Sequence, residues 1–290
     1  VPELRIEGLV LASRPLGEND RLLSLLTRDD GLLRLAAPGA RRPRSSLAGA
    51  VPLAHLELQV GGRGDLKRVR QLRLLRNYSA LASRLETLAA AQGLAELCLA
   101  LVPADVPAPG ILADLLAQLG RLEAVVREDN GPEGDAEPQP EALAVAVLGS
   151  VHLLALGGYA LPLQLCARSG ACLDPPVGDW DWRCSLLPGE GLVIGAVPGA
   201  RMLLNASELA LLQRLTRPAP PRRRDGSLMG PTSVWLRLLR VIEQWSGEHL
   251  GRAPRAFRLL RSGFEPMPLP STPRLPKAPS ERPSKGPSRP

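Results

Sequence analysis

The sequence predicts an α+β protein in which five short strands close into a small barrel and a mostly helical domain follows. Three observations carry that prediction. Apolar and polar residues alternate through much of the chain up to Leu75, the pattern of a half-buried strand. After Tyr78 the apolar residues recur at helical spacing instead. Aromatic residues make up only 3% of a chain that is 44% hydrophobic, so Leu, Ala and Val must fill the interior. The length of 290 residues suits two domains with appendages.

The strands come in order. Glu3 to Leu11 alternates and meets a break at Arg14-Pro15-Leu16-Gly17. Arg21 to Arg28 follows, then a hairpin-type turn at Asp29-Asp30-Gly31, and Leu32 to Ala37 resumes the extended pattern. Val51 to Val60 is the fourth strand, Gly61 to Asp65 turns, and Leu66 to Leu75 is the fifth, with Leu66, Arg68, Arg70, Leu72 and Leu74 expected on one face. Five strands joined by tight turns suit a closed barrel of the OB type over residues 1–77, and a five-stranded SH3-like barrel fits the same pattern.

The helical domain is expected over residues 78–262. Leu81, Leu85, Leu88, Leu94, Leu97 and Leu101 mark a first helix, ending near Pro103. Ile111 to Val126 is a second, and Arg127 to Pro140 is an acidic, Pro/Gly-rich loop. Glu141 to Leu156 is a third, closed by Gly157-Gly158, and Thr232 to Leu250 is a later one. From 263 to 290 Pro, Ser, Lys and Arg dominate, a composition that predicts a disordered basic tail.

Charge is segregated along the chain. Residues 1–76 carry a balance of +6, residues 77–214 one of −9, and residues 215–290 one of +10. Basic ends around an acidic middle point to an anionic partner held by particular regions. The sharpest local feature is Gly39-Ala40-Arg41-Arg42-Pro43-Arg44-Ser45-Ser46, between two strands. In an OB barrel such a connection lies beside the face that takes single strands. The arginine fork binds phosphate oxygens bidentately and stays charged. Arg34, Arg41, Arg42 and Arg44 are therefore the leading candidates for nucleic-acid contact, with Arg63, Lys67, Arg68 and Arg70 as secondary ones. Arg237, Arg240, Arg252, Arg255 and Arg258 are candidates to extend that surface or to receive an acidic partner tail. The scarcity of aromatics argues against base stacking as the main source of affinity.

Several of these stretches together resemble a known family. Val10-Leu11, then Gly17-Glu18-Asn19-Asp20-Arg21 to Thr27, Gly31-Leu32 and Gly39-Ala40-Arg41-Arg42-Pro43-Arg44-Ser45 are similar to the N-terminal domain of RecO. Asp65 to Leu75, Glu96-Leu97, and Leu236 through His249-Leu250-Gly251-Arg252 to Arg258-Leu259-Leu260 continue the match in the same order. It spans roughly residues 4–262, is strongest at its two ends, and rests on the order of the motifs. The resemblance implies an OB domain, a helical domain and often a small zinc-binding insertion. It also implies a non-enzymatic mediator that binds single- and double-stranded DNA and anneals complementary strands. Such a mediator works with RecR and helps load the RecA recombinase onto strands coated by single-stranded-DNA-binding protein, whose C-terminal tail is a further partner.

The insertion expected at 162–197 is a degenerate zinc ribbon. Cys166, Cys172 and Cys184 are weak metal candidates, since a structural zinc site wants four ligands and usually a Cys-x-x-Cys knuckle. No cofactor is expected. Trp180, Trp182 and the glycine turns are expected to support the ribbon in place of metal, and Cys98 to be a small buried hydrophobe on the first helix. His55, His152 and His249 lie far apart with no motif around them, and no Gly-x-x-x-x-Gly-Lys-Ser/Thr loop is present. Glu18 and Asp20 are expected to shape their turn and to pair with Arg14 or Arg21. The chain thus reads as a non-enzyme. No apolar run approaches the roughly 20 residues that span a bilayer, no signal peptide opens it, and four cysteines make no disulfide framework, so a cytoplasmic protein is expected. The alternative functional reading is a protein-interaction scaffold whose basic surfaces meet acidic protein, and a third is a zinc-dependent nuclease or deaminase.

Overall fold

Alternation in the first part of the chain becomes five strands: β1 (Leu4–Leu16), β2 (Asp20–Thr27), β3 (Leu32–Ala37), β4 (Ala54–Gly61) and β5 (Lys67–Asn77). They close in the order β1-β2-β3-β5-β4, with β4 pairing back onto β1 and a parallel contact between β3 and β5. This is the OB-type barrel. The computed structural model describes residues 4–62, 66–104, 106–108, 110–128 and 138–264. Arg63, residues 129–137 of the expected acidic loop, and residues 265–290 of the expected tail lie outside them.

Inward positions alternate as expected, with Ile6, Leu23, Leu25, Leu35, Leu56 and Leu58 among the barrel's core. Bulges on β1 and β5 change what the alternation says. On β1, Val10 pairs with Leu25 and Ala12 with Ser24, so Leu11 is an extra residue and the strand runs on through Pro15 to Leu16, past the expected break. Leu9 and Leu11 both join the core of the helical domain and Val10 points into the barrel, and the extra residue then turns Ala12 and Arg14 outward as well. On β5, Val60 pairs with Val69 and Gln59 with Gln71, which makes Arg70 the extra residue. The expected single face of Leu66, Arg68, Arg70, Leu72 and Leu74 is therefore split. Val69 is the buried residue, Arg68 and Arg70 are exposed, and Leu72 packs against the barrel core.

A 3-10 turn (Ser79–Ser83) leads into the helical domain. Its helices are α1 (Leu85–Leu101), α2 (Ile111–Glu128), α3 (Pro140–Leu156), α4 (Ala206–Arg214), α5 (Thr232–His249) and α6 (Arg255–Ser262). Helices α1 and α3 are apolar on most sides and form its centre, with Ala90, Leu94, Leu97, Leu143, Val147 and Leu148 all buried. Helix α6 lies on α1 because Gly93 leaves room for the Phe257 ring: a Cβ at Gly93 would stand 2.2 Å from that ring. The Glu96 carboxylate fixes the start of α6 by accepting the backbone N–H groups of Arg255 and Ala256. Leu9, Leu11 and Leu26 on the outside of the barrel share one core with these helices. Burying each is worth roughly 1.5–3 kcal/mol, enough to hold the two parts together.

Between α3 and α5 a small sheet of β6 (Arg183–Leu187), β7 (Gly191–Ile194) and β8 (Met202–Asn205) is ordered β7-β6-β8 and extends beyond residue 197. Trp180 gives it no support, being 83% exposed, and Trp182 is only partly buried. The support comes from Leu163, Leu173, Leu186 and Leu192 in the core. The Gln213 side-chain amide on α4 adds to it by donating to the carbonyls of Leu163 and Leu173 at 2.8 and 2.7 Å. Helix α4 begins with a capping box of Asn205 and Glu208.

Candidate nucleic-acid interface

Strand register puts the exposed arginines of the barrel into rows. Arg14 on β1 pairs with Leu22 on β2, Leu22 with Ala36 on β3, and Ala36 with Arg68 on β5. The next row is Ala12, Ser24 and Arg34. Paired residues of neighbouring strands point to the same side, and strands lie about 4.8 Å apart. Arg14, Arg34 and Arg68 thus share one outward face, with Leu22 and the small residues Ala12, Ser24 and Ala36 between them. Arginine forks standing over such a shallow floor can reach the phosphates of an extended strand laid across it.

The connection from β3 to β4 borders this face. It is not a free arm, since Ala40, Leu47 and Ala50 are buried against the barrel and Gly49 approaches Leu72 of β5. Asp20 explains its start: the carboxylate accepts the Gly39 N–H at 2.8 Å. The expected pairing of Asp20 with Arg14 or Arg21 is not formed, and Arg21 reaches the Ser13 hydroxyl instead. The Arg41 N–H donates to the Asn19 carbonyl at 2.9 Å and its guanidinium to the Gly17 carbonyl at 3.0 Å. The β1–β2 turn and the basic connection are therefore one rigid block, and Arg41, Arg42 and Arg44 are all exposed on it. Arg44 has φ of 57°, a left-handed conformation that a side chain disfavours by roughly 1–2 kcal/mol. A glycine would sit there without strain, so the position keeps its guanidinium at a cost in stability.

Among the described residues no carboxylate lies within ion-pair distance of Arg14, Arg34, Arg41, Arg42, Arg44, Arg68 or Arg70. Lys67 stands opposite the inward Leu35 and is half-buried, out of phase with the outward arginines. The other side of the barrel differs. There Glu57 lies between Arg73 at 2.6 Å and Arg5 at 3.8 Å, and Glu7 faces His55 at 3.1 Å. Arg76 is paired with Glu123 on α2. In the helical domain Arg237 is bound to Glu208 and to the Leu203 carbonyl, so it braces α5 against α4. Arg240 is likewise engaged. Arg252, Arg255 and Arg258 are exposed.

The cysteines do not supply a zinc set. Cys172 is exposed and Cys98 is buried on α1. The Cys166 thiol is lowered to about 7, because the hydrogen bond with the Ser169 hydroxyl and those with backbone N–H groups outweigh its burial. Burial pushes Cys184 up to about 11. No three His, Cys, Asp or Glu side chains among the described residues converge on a point that could hold a metal. His152 is a structural pin: Nε2 meets the carbonyls of Leu215 and Arg217 at 2.9 and 3.0 Å and Nδ1 faces Asp114 at 3.4 Å. Acceptors at both nitrogens favour the charged ring, so its pKa is raised, chiefly by the hydrogen bond with Asp114. No helix among the described residues is long and apolar enough to cross a membrane.

A family model described as the recombination protein O N-terminal domain matches residues 2–78, and one for the C-terminal domain matches residues 82–256. The chain belongs to the RecO family. The DNA repair protein RecO of Synechococcus sp. (strain CC9311) is 57% identical over 263 residues, covering 90% of this chain and 97% of that protein. That of Prochlorococcus marinus (strain MIT 9303) is 59% identical over 90% of this chain and 96% of its own length. The more distant RecO of Thermosynechococcus vestitus is 36% identical over 91% and 96%. Membership of the RecO family places the chain in DNA repair and recombination.

One contributor to the arginine face, Arg14, was not among the residues that sequence reasoning selected. Its nearest charged neighbours in sequence are Glu18 and Asp20, and only the β1–β2 register brings it into line with Arg68.

Proposed function

We propose that this RecO-family protein is a non-catalytic recombination mediator that holds DNA electrostatically on the barrel face of Arg14, Arg34 and Arg68, on the exposed Arg70 of the β5 bulge, and on the adjoining block of Arg41, Arg42 and Arg44. The observation that carries this reading is the absence of carboxylate partners for these seven arginines among the described residues, on a barrel whose other side is ion-paired. Such a surface binds the backbone of any sequence, single- or double-stranded, and releases counterions as it does so. Sequence-blind grip on phosphates leaves the base edges free, which is what annealing of complementary strands requires. Loading of RecA onto coated strands, cooperation with RecR, capture of the acidic tail of single-stranded-DNA-binding protein and a cytoplasmic location complete the proposal, and the family resemblance supports them.

The test is annealing of complementary strands precoated with the cognate single-stranded-DNA-binding protein. Acceleration without nucleotide is expected. A chain that binds neither bare nor coated strands, yet retains an acidic protein partner, would favour the scaffold reading instead.

A further inference from the structure

A groove of about 340 Å³ lies where the barrel meets the helical domain. Its floor is aliphatic, with Leu11, Leu53 and Leu99 among the lining residues, and its walls include Arg14, Arg252 and Arg255. The groove follows directly from the register of β1. Leu9 and Leu11 are covered by the helices, whereas Ala12 and Arg14, further along the same strand, emerge into solvent as the start of the arginine face. The edge of the helical cover is therefore also the edge of the proposed DNA surface, and Arg14 belongs to both.

Positive charge outweighs negative in the groove, with Arg14, Arg252 and Arg255 against Glu96. Its lining carboxylate, Glu96, accepts the N–H groups of Arg255 and Ala256, so it is turned toward the start of α6 rather than toward the arginine side chains. Arg252 and Arg255 are exposed, and Arg258 continues the exposed side of α6 one turn further on. Among the described residues no aromatic lines the groove, so bases entering it meet aliphatic surface while phosphates meet the arginines.

We propose that a single DNA strand leaving the barrel face passes Arg14 and enters this groove, where Arg252 and Arg255 hold its phosphates. The helical domain thereby lengthens the footprint of the barrel. Continuity through Arg14 and charge complementarity commit the groove to the strand. The inference rests on the proposed DNA-binding function, and strand length separates the two.

The experiment measures affinity of the full chain for strands of about 6 and about 20 nucleotides, which bracket the roughly 4–16 nucleotides held by one OB fold. Wild type and an Arg252→Gln/Arg255→Gln variant are compared across a salt series. Both side chains are exposed, and an unchanged melting temperature of the variant verifies its fold. For the long strand, losing two phosphate contacts should lower the salt slope by about 1.4 and weaken binding roughly tenfold near 0.15 M salt. The short strand should bind the variant as it binds wild type. Equal loss at both lengths, or no loss at either, would overturn the extended path. So would a variant with unchanged DNA affinity that fails to bind an acidic apolar peptide held by wild type, because the groove would then be a peptide site. Failure of wild type to bind either length would instead remove the function on which the inference rests.

Discussion

The two sides of the barrel carry similar residues in different company. On the outside of β4 and the neighbouring parts of β1 and β5, Arg5 and Arg73 share Glu57, and Glu7 answers His55. On the outside of β2, β3 and the remaining parts of β1 and β5, Arg14, Arg34 and Arg68 stand over Ala12, Leu22, Ser24 and Ala36 with no carboxylate in reach among the described residues. Counting cations along the sequence does not distinguish these two sets. Register does, because it decides which arginines meet an acid across the sheet and which meet only uncharged residues. A paired arginine contributes little to stability and little outward field, whereas an unpaired row keeps its full charge for an anion.

The difference can be sharpened by variants of graded effect. Reversing charge at Arg41, Arg42 and Arg44 together should be the most damaging, weakening single-strand binding by roughly a hundredfold or more near 0.15 M salt and lowering the salt slope by at least about 2. A titration by fluorescence anisotropy reads both, and unchanged binding at every salt would remove the basic connection from the interface. Gly93→Ala should act on the helical domain alone. The added methyl collides with Phe257, loosens α6 and should cost about 1–3 kcal/mol in denaturant unfolding, with binding of a short strand to the barrel preserved. Arg44→Gly should move two quantities in opposite directions. Relief of the left-handed backbone should stabilise the protein by about 1 kcal/mol, while loss of one phosphate contact should lower the salt slope by about 0.7.

The smallest effect concerns a charge that the DNA surface does not use. His152 has its pKa raised in the fold above the ordinary imidazole value of 6.5, so its contribution to stability is fully present below that value and is lost as pH rises through the higher folded value. The melting-temperature gap between wild type and His152→Gln should therefore narrow as pH increases. A gap that widens toward alkaline pH would show that the neutral ring is the stabilising form.

Much of the barrel was legible because half-buried strands impose a period of two; α1 was legible from its leucine spacing and α3 as an apolar stretch closed by Gly157-Gly158. What escaped were events of a single residue. One extra residue at Leu11 turns Arg14 to the outside of β1, and one at Arg70 moves the buried position of β5 to Val69, neither of which alters composition. The short strands β6, β7 and β8 and the nine-residue α4 are too brief for periodicity to declare them, although the Asn205-x-x-Glu208 cap was present to be read. Within the candidate site, Arg41, Arg42 and Arg44 stood out by clustering. Arg14 did not, since its alignment with Arg68 is a property of pairing across four strands.

The central claim, that the unpaired side of the barrel and not its paired side holds DNA, is tested most directly by two variants of equal charge change. Arg34→Gln/Arg68→Gln removes two arginines from the unpaired side, and Arg5→Gln/Arg73→Gln removes two from the paired side. The measurement is the slope of log affinity for a single strand against log salt. The account predicts a slope lower by about 1.4 for the first variant and a slope close to wild type for the second. Equal reductions in the two, or a larger one for Arg5→Gln/Arg73→Gln, would contradict it.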